Sequence, residues 1–199
     1  MDLSAPHRAV APTVEGAVLM VLARVTRPLS GREIGRLAGR SEAGVRRALR
    51  RLSEHGLVKT DEAGKTLLHS LNRDHLAAPA VEILTNMRAE LLRRIKIAIA
   101  EWSIKPLEAS LFGSSARGDG STGSDIDLLV VRPPEVSGSD PVWEEQIREL
   151  SSSVLRWTGN HASVAELSPT DAELIASGDL PNAEEIGRDA IPLWDGQAS

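Results

Sequence analysis

Cysteine and tyrosine are absent from the 199 residues, and phenylalanine occurs once. No disulfide framework and no thiolate metal site can be built from such a chain. Aromatic residues make up only 3%, which argues against a surface on which unpaired bases stack along a single strand. The longest apolar run, Ala17 to Ala23, falls far short of the ~20 residues a membrane-crossing helix needs. The N-terminus also lacks the basic-then-apolar order of a secretory signal. A cytoplasmic protein with no membrane partner is expected. Hydrophobic residues at 41% suffice for one or two ordinary cores.

The net charge of −5 hides an asymmetry. Residues 1–75 hold 13 Lys+Arg against 8 Asp+Glu, whereas residues 76–199 hold 10 against 20. One part of the chain is therefore suited to a polyanion and the other is not.

The basic part has the periodicity of three helices followed by a hairpin. Val14, Ala17, Val18, Val21, Leu22 and Val25 recur at helical spacing, the mark of an amphipathic helix. Ser30 with Glu33 makes a capping box for a second helix that Gly39 ends. Ser41 caps a third over 42–55, with Val45, Ala48, Leu49 and Leu52 as its core face and Gly56 closing it. Alternating runs over 57–60 and 65–71, joined by Asp61 to Gly64, read as a hairpin wing. The string SGREIGRLAGRSEAGVRRALRRLSEHGLV resembles the winged helices of bacterial transcription regulators. That resemblance implies duplex DNA as a partner, read from the major groove by the third helix. Ser41, Glu42, Arg46 and Arg47 are the candidates for base edges. Arg32, Arg36, Arg50, Arg51 and Lys65 suit phosphates, where they add affinity without sequence information. One such helix reads a half-site, so a homodimer on a palindrome is expected. A protein-interaction module with a solvated arginine face is the competing reading, because a fold alone does not fix function.

An apolar stripe through Val81, Leu84, Met87, Leu91, Leu92, Ile95, Ile99 and Trp102 predicts one long helix over 80–102, filling most of a linking segment at 76–103. Beyond it the pattern alternates: strand 109–112, strand 125–131, helix 141–157, strand 161–167, a helix over 170–176 capped by Thr170 with Glu173, and a final helix 183–188 and strand 190–194. Alternation of this kind gives an α/β sheet over 104–199, and α+β as the class of the whole chain.

The chemistry concentrates in LFGSSARGDGSTGSDIDLLVV, Leu111 to Val131. Residues at i and i+2 of a strand share a face, so Asp125 and Asp127 project together. Adjacent carboxylates repel unless a cation lies between them, and hard oxygen ligands suit Mg²⁺ or Mn²⁺. The Gly113-Ser114 turn, with the Ser115 hydroxyl, offers N–H and O–H donors to a phosphate. The string GSSARGDGSTGSDIDLLV resembles the signature of the DNA polymerase beta-type nucleotidyltransferases in minimal form. The resemblance implies a mixed sheet and a bound nucleoside triphosphate, with Gly113 and Ser114 on the nucleotide and Asp125 and Asp127 on the metal. Ser115 and Ser124 are further candidates toward the nucleotide, and Arg117 and Asp119 either touch the triphosphate or pair with each other. The resemblance also implies a third acid from the next strand, HASVAEL. There Ser163 occupies the acid's position, and Glu166 reaches the same face only if the strand bulges. His161 is a candidate base, although a lone histidine at a strand end is more often surface. Two functions follow: a regulator whose weak transfer site senses a nucleotide, or an active enzyme transferring a nucleotidyl group to a protein, an RNA or a small-molecule hydroxyl.

Overall fold

The computed structural model describes residues 1–118, 123–178 and 189–196. Asp119 and the helix predicted over 183–188 lie outside the described residues. The chain forms two compact units, residues 5–87 and residues 1–4 with 88–199.

In the first unit, short hydroxyl side chains start the helices. The Thr13 side chain accepts from Gly16 N–H at the head of α1 (Val14–Ala23), and the Ser41 side chain accepts from Gly44 N–H at the head of α3 (Glu42–Glu54). Between them α2 (Gly31–Ala38) carries the full Ser30/Glu33 capping box and ends at Gly39, whose φ of 61° belongs to the left-handed region. Hydrogen bonds from the Ser30 backbone and hydroxyl, with help from Arg27, hold the Glu33 carboxyl down at about 2. The helices bury Val18, Leu22, Ile34, Val45 and Leu49 together.

The wing is longer and tighter than its sequence suggests. Strand β2 (Val58–Ala63) pairs with β3 (Thr66–Leu71), and Ala63 faces Thr66, so the turn is Gly64-Lys65 alone. Gly64 supplies the positive φ of 63° that a two-residue hairpin demands. Asp61 and Glu62, expected in the loop, lie in β2. A short β1 (Leu29–Ser30), not anticipated from the sequence, pairs along the other edge of β3.

The single helix expected over 80–102 is two: α4 (Ala78–Thr85) and α5 (Met87–Ala100). The Thr85 hydroxyl donates back to Val81 O at 2.8 Å, and Asn86 leaves helical backbone at φ −99°, ψ 8°. Such back-bonding by short polar side chains competes with the helix ladder. The two helices also serve different cores. Val81 packs with the first unit, whereas Leu91, Ile95 and Ile99 pack with the second.

The second unit is built on a four-stranded mixed sheet. Strands β4 (Glu108–Phe112), β5 (Ile126–Val131), β6 (Ala162–Leu167) and β7 (Ile191–Trp194) lie in the order β6-β5-β4-β7, with only the β5/β6 pair parallel. A five-residue helical turn, α6 (Gly113–Arg117), leaves β4, while α7 (Pro141–Thr158) connects β5 to β6. One face of the sheet buries Leu111, Ile126, Leu128 and Val130 against Trp143 and α5. Trp143 is edge-to-face with Trp102, centroids 5.6 Å apart. Helix α8 (Pro169–Ala176) is capped by Ser168 with Asp171 rather than by Thr170 with Glu173. Pro169 decides this, since a residue without an N–H fits the first helical position. Among the described residues no helix is long and apolar enough to cross a membrane.

Candidate nucleotide and nucleic-acid sites

Asp127 is the second residue of β5 and Asp125 immediately precedes the strand. Alternation turns Ile126 and Leu128 into the core and leaves Asp127 on the opposite face, half-buried beside the exposed Asp125. Burial pushes the Asp127 carboxyl above its ordinary value, repulsion from Asp125 pushes it further, and the Arg117 charge pulls it partly back. A half-buried carboxylate with a second acid beside it is costly to keep charged without a cation nearby.

Gly113 ends β4 against this carboxylate. Its φ is +66°, and a Cβ placed there would stand 2.6 Å from Asp127 Oδ2. Only glycine satisfies both the backbone and the space. Phe112 faces Asp127 across the β4/β5 ladder, so the turn and the acid are held in register by the sheet itself. Ser114 is half-buried with its carbonyl taken by Gly118 N–H at 2.9 Å. Ser115, expected to offer its hydroxyl to a phosphate, is 1% exposed, and its Oγ donates to the Asp125 carbonyl at 3.2 Å. It braces the acid's backbone instead. Arg117 pairs with Asp189 at 3.3 Å.

Three further residues support this corner without having stood out in the sequence. Arg88, near the start of α5, donates through Nη2 to the carbonyls of Ser115, at 3.1 Å, and Ala116. Asn160, 4% exposed, donates from Nδ2 to the Ser124 carbonyl at 2.8 Å and so fixes the approach to Asp125. Asp189 reaches Arg117 from just before β7. At this corner Arg88 and Asn160 both donate to backbone carbonyls, which leave no trace in residue identity.

Glu166 does not join the acids. The β5/β6 ladder runs unshifted, with Asp127 facing Ser163 and Val130 facing Glu166. The bulge needed to bring Glu166 alongside is absent. Three steps along a strand separate it from Asp127 by roughly 10 Å, and its carboxylate is held by Arg132 Nε at 3.0 Å. Among the described residues no cluster of three or more His, Asp or Glu is placed to hold a metal. His161 is exposed, and its carbonyl accepts from Ile126 N–H at 2.8 Å.

In the first unit, Arg32, Glu42, Arg46, Arg50 and Lys65 line a groove of about 850 Å³ between the start of α2, α3 and the wing. Arg47 is exposed on α3 beside it. Ser41, offered as a base contact, spends its hydroxyl on the α3 cap, with Gly44 N–H at 3.3 Å. Arg51 is drawn toward α1 by Glu15 at 3.1 Å, and Arg50 pairs loosely with Glu54 at 3.8 Å. At the groove floor His69 is 8% exposed, its Nδ1 is 3.0 Å from the Thr60 hydroxyl, and Thr60 in turn meets Ser53 at 3.1 Å. Burial lowers the His69 pKa.

Comparison with known proteins follows the same division. The IclR helix-turn-helix domain model matches residues 16–62, from α1 into β2. The nucleotidyltransferase domain model matches residues 92–162, from α5 to the first residue of β6, and ends one residue short of Ser163. No curated protein matches the chain. Among solved structures it is similar to a mutant of ZitR from Lactococcus lactis, at 22% identity over 45% of this chain and 61% of that one, TM-score 0.35. It is similar to a toxin-antitoxin with AMP-PNP, at 17% identity over 53% and 74%, TM-score 0.37. It is also similar to human N-acetylserotonin methyltransferase in complex with SAM, at 17% over 51% and 32%, TM-score 0.30. The chain thus spans less than two thirds of the ZitR and methyltransferase chains. The protein joins a winged helix-turn-helix domain of IclR type to a minimal nucleotidyltransferase domain.

Proposed function

We propose that this is a DNA-binding regulator whose second domain binds a nucleoside triphosphate with Mg²⁺ or Mn²⁺ and transfers its nucleotidyl group, with release of pyrophosphate, weakly or not at all. The observation that carries this reading is the pairing of Asp127 with Ser163 where a third carboxylate is expected, with Glu166 engaged by Arg132. Two carboxylates fit one hard cation: Mg²⁺ keeps several waters and takes one or two protein carboxylates plus substrate phosphates. A second metal, which the transfer of a nucleotidyl group uses to activate the attacking oxygen, has no carboxylate of its own here among the described residues. Gly113 keeps the space beside Asp127 open, and Arg117 supplies a cation for phosphate oxygens. The same Gly113 and Asp pair favour the second reading, an active nucleotidyltransferase that transfers a nucleotidyl group to a protein, RNA or small-molecule hydroxyl.

The basic groove along α3 supports duplex DNA as the partner of the first domain. Calorimetry with the full chain tests the central claim. ATP binds in the presence of Mg²⁺ and fails to bind with chelator, and Asp125→Asn with Asp127→Asn abolishes binding while the far-ultraviolet spectrum is kept. Equal affinity with and without metal excludes the reading. Labelled nucleotide incubated with protein, metal and cell extract separates the two functions: a stable labelled product establishes the transferase.

A further inference from the structure

We propose that Arg88 is a positioning residue for the candidate nucleotide site, holding the Gly113–Arg117 turn in shape and, through Ser115, fixing the backbone of Asp125. This rests on the metal-nucleotide reading above, and extends it to a residue on a different element from the motif.

The turn at 113–117 is too short to hold itself. Its last carbonyls have no partners within the helix, and Gly118 leaves it at φ +79° after a single bond from its N–H to Ser114 O. Arg88 Nη2 takes the next two carbonyls, Ser115 and Ala116. Charge-assisted bonds of this kind are the stronger ones, and a planar guanidinium fixes direction as well as distance. The contact passes onward. Ser115, with its carbonyl gripped by Arg88, uses its buried hydroxyl to hold the Asp125 carbonyl at 3.2 Å. One guanidinium therefore governs both the glycine turn facing Asp127 and the main chain that delivers Asp125.

Arg88 also carries a cost that packing alone does not explain. Its Nε is buried without a hydrogen-bond partner among the described residues, which native structures rarely tolerate. A methionine in its place would fill similar volume without that penalty. What the methionine could not do is hold the two carbonyls.

The test compares the full-length protein with Arg88→Met and Arg88→Lys. Hydrogen exchange without ligand is read over 111–131 and, as a control, over the wing at 58–71; calorimetry reads ATP with Mg²⁺. Arg88→Met is expected to speed exchange in 113–118, leave the wing unchanged, and weaken Mg-ATP by about tenfold or more, the range found when outer-shell partners of metal ligands are removed. Arg88→Lys, which keeps the charge and one donor, is expected to recover part of both and stands in if the methionine variant fails to fold. Unchanged exchange at 113–118 overturns the proposal, and so does a rise spread evenly over the chain. If the wild type binds no Mg-ATP, the metal-nucleotide reading fails while the ligand-free exchange still decides the role of Arg88.

Discussion

Ser163 faces Asp127 across the parallel β5/β6 ladder, in a register that runs without a shift from Ile126/Ala162 to Val131/Leu167. Ser163→Asp therefore puts a like charge directly beside Asp127. Without metal the substitution is expected to destabilise by up to about 1 kcal/mol. With Mg²⁺ or Mn²⁺ the sign reverses, because a third carboxylate gives the cation a better site. Melting curves with and without metal check this, and any nucleotide transfer should rise with the substitution. A variant indifferent to metal would show that Ser163 does not mark the missing ligand.

Gly113→Ala meets two obstacles, a φ of +66° and Asp127 Oδ2 at 2.6 Å. A non-glycine residue in this conformation costs of order 1–3 kcal/mol before the clash is counted. Urea titration should show the loss, and Mg-ATP binding should vanish because the added methyl group displaces the carboxylate. Retained binding at full affinity would refute the placement of the phosphates beside this turn.

Asp127 has its pKa raised above 3.8, by burial first and by Asp125 second. An acid of this kind binds its proton more tightly folded than unfolded, so stability falls as pH rises from 3.8 through the raised folded value and the full penalty persists above it. Asp127→Asn removes the charge at almost constant shape. The variant should be more stable than the wild type at neutral pH, with the difference closing as pH falls through that window, and it should bind no Mg-ATP. Urea midpoints across the pH range supply the check.

His69 behaves in the opposite sense. Burial lowers its pKa below 6.5, so the unfolded chain takes up a proton first. Stability is fully present above pH 6.5 and declines as pH falls from there toward the folded value. His69→Gln should flatten that decline in the full-length protein. Parallel pH curves for variant and wild type would count against it.

On the DNA face, Arg46 lines the groove between α3 and the wing whereas Arg51 is engaged by Glu15. Arg46→Ala is expected to weaken duplex binding more than Arg51→Ala and to relax sequence discrimination by about 1–3 kcal/mol at one base position if it reaches a base edge. A phosphate contact would instead lower the salt slope by about 1 with no change in discrimination. Gel shifts over a salt series distinguish the two, and no duplex binding at low salt would exclude DNA as the partner.

Local chemistry made much of the fold legible. The Ser30/Glu33 box lies within one turn, and the amphipathic face of α3 is carried by Val45, Ala48, Leu49 and Leu52. The mixed sheet followed from the motif that ends in β5. The break at Asn86 was not legible, because the apolar stripe continues across it and only the structure shows that Val81 and Leu91 belong to different cores. The turn at Gly64-Lys65 was obscured by Asp61 and Glu62, loop-like residues that β2 exposes. At the acids, alternation pointed to a shared face for Asp125 and Asp127, and Asp125 lies just ahead of β5, near enough to repel Asp127; nothing in the sequence showed that Ser115 is buried as a brace or that Glu166 is occupied by Arg132.

The demand that Gly113 makes for a bare α-carbon has a meaning for how such a chain drifts over generations. Every single base change in a glycine codon that is not silent yields a stop or a residue with a Cβ, and each of those would crowd Asp127. Turning Ser163 into Asp, by contrast, lies beyond any single base change. One base change can close the space beside Asp127, whereas a carboxylate at position 163 needs at least two.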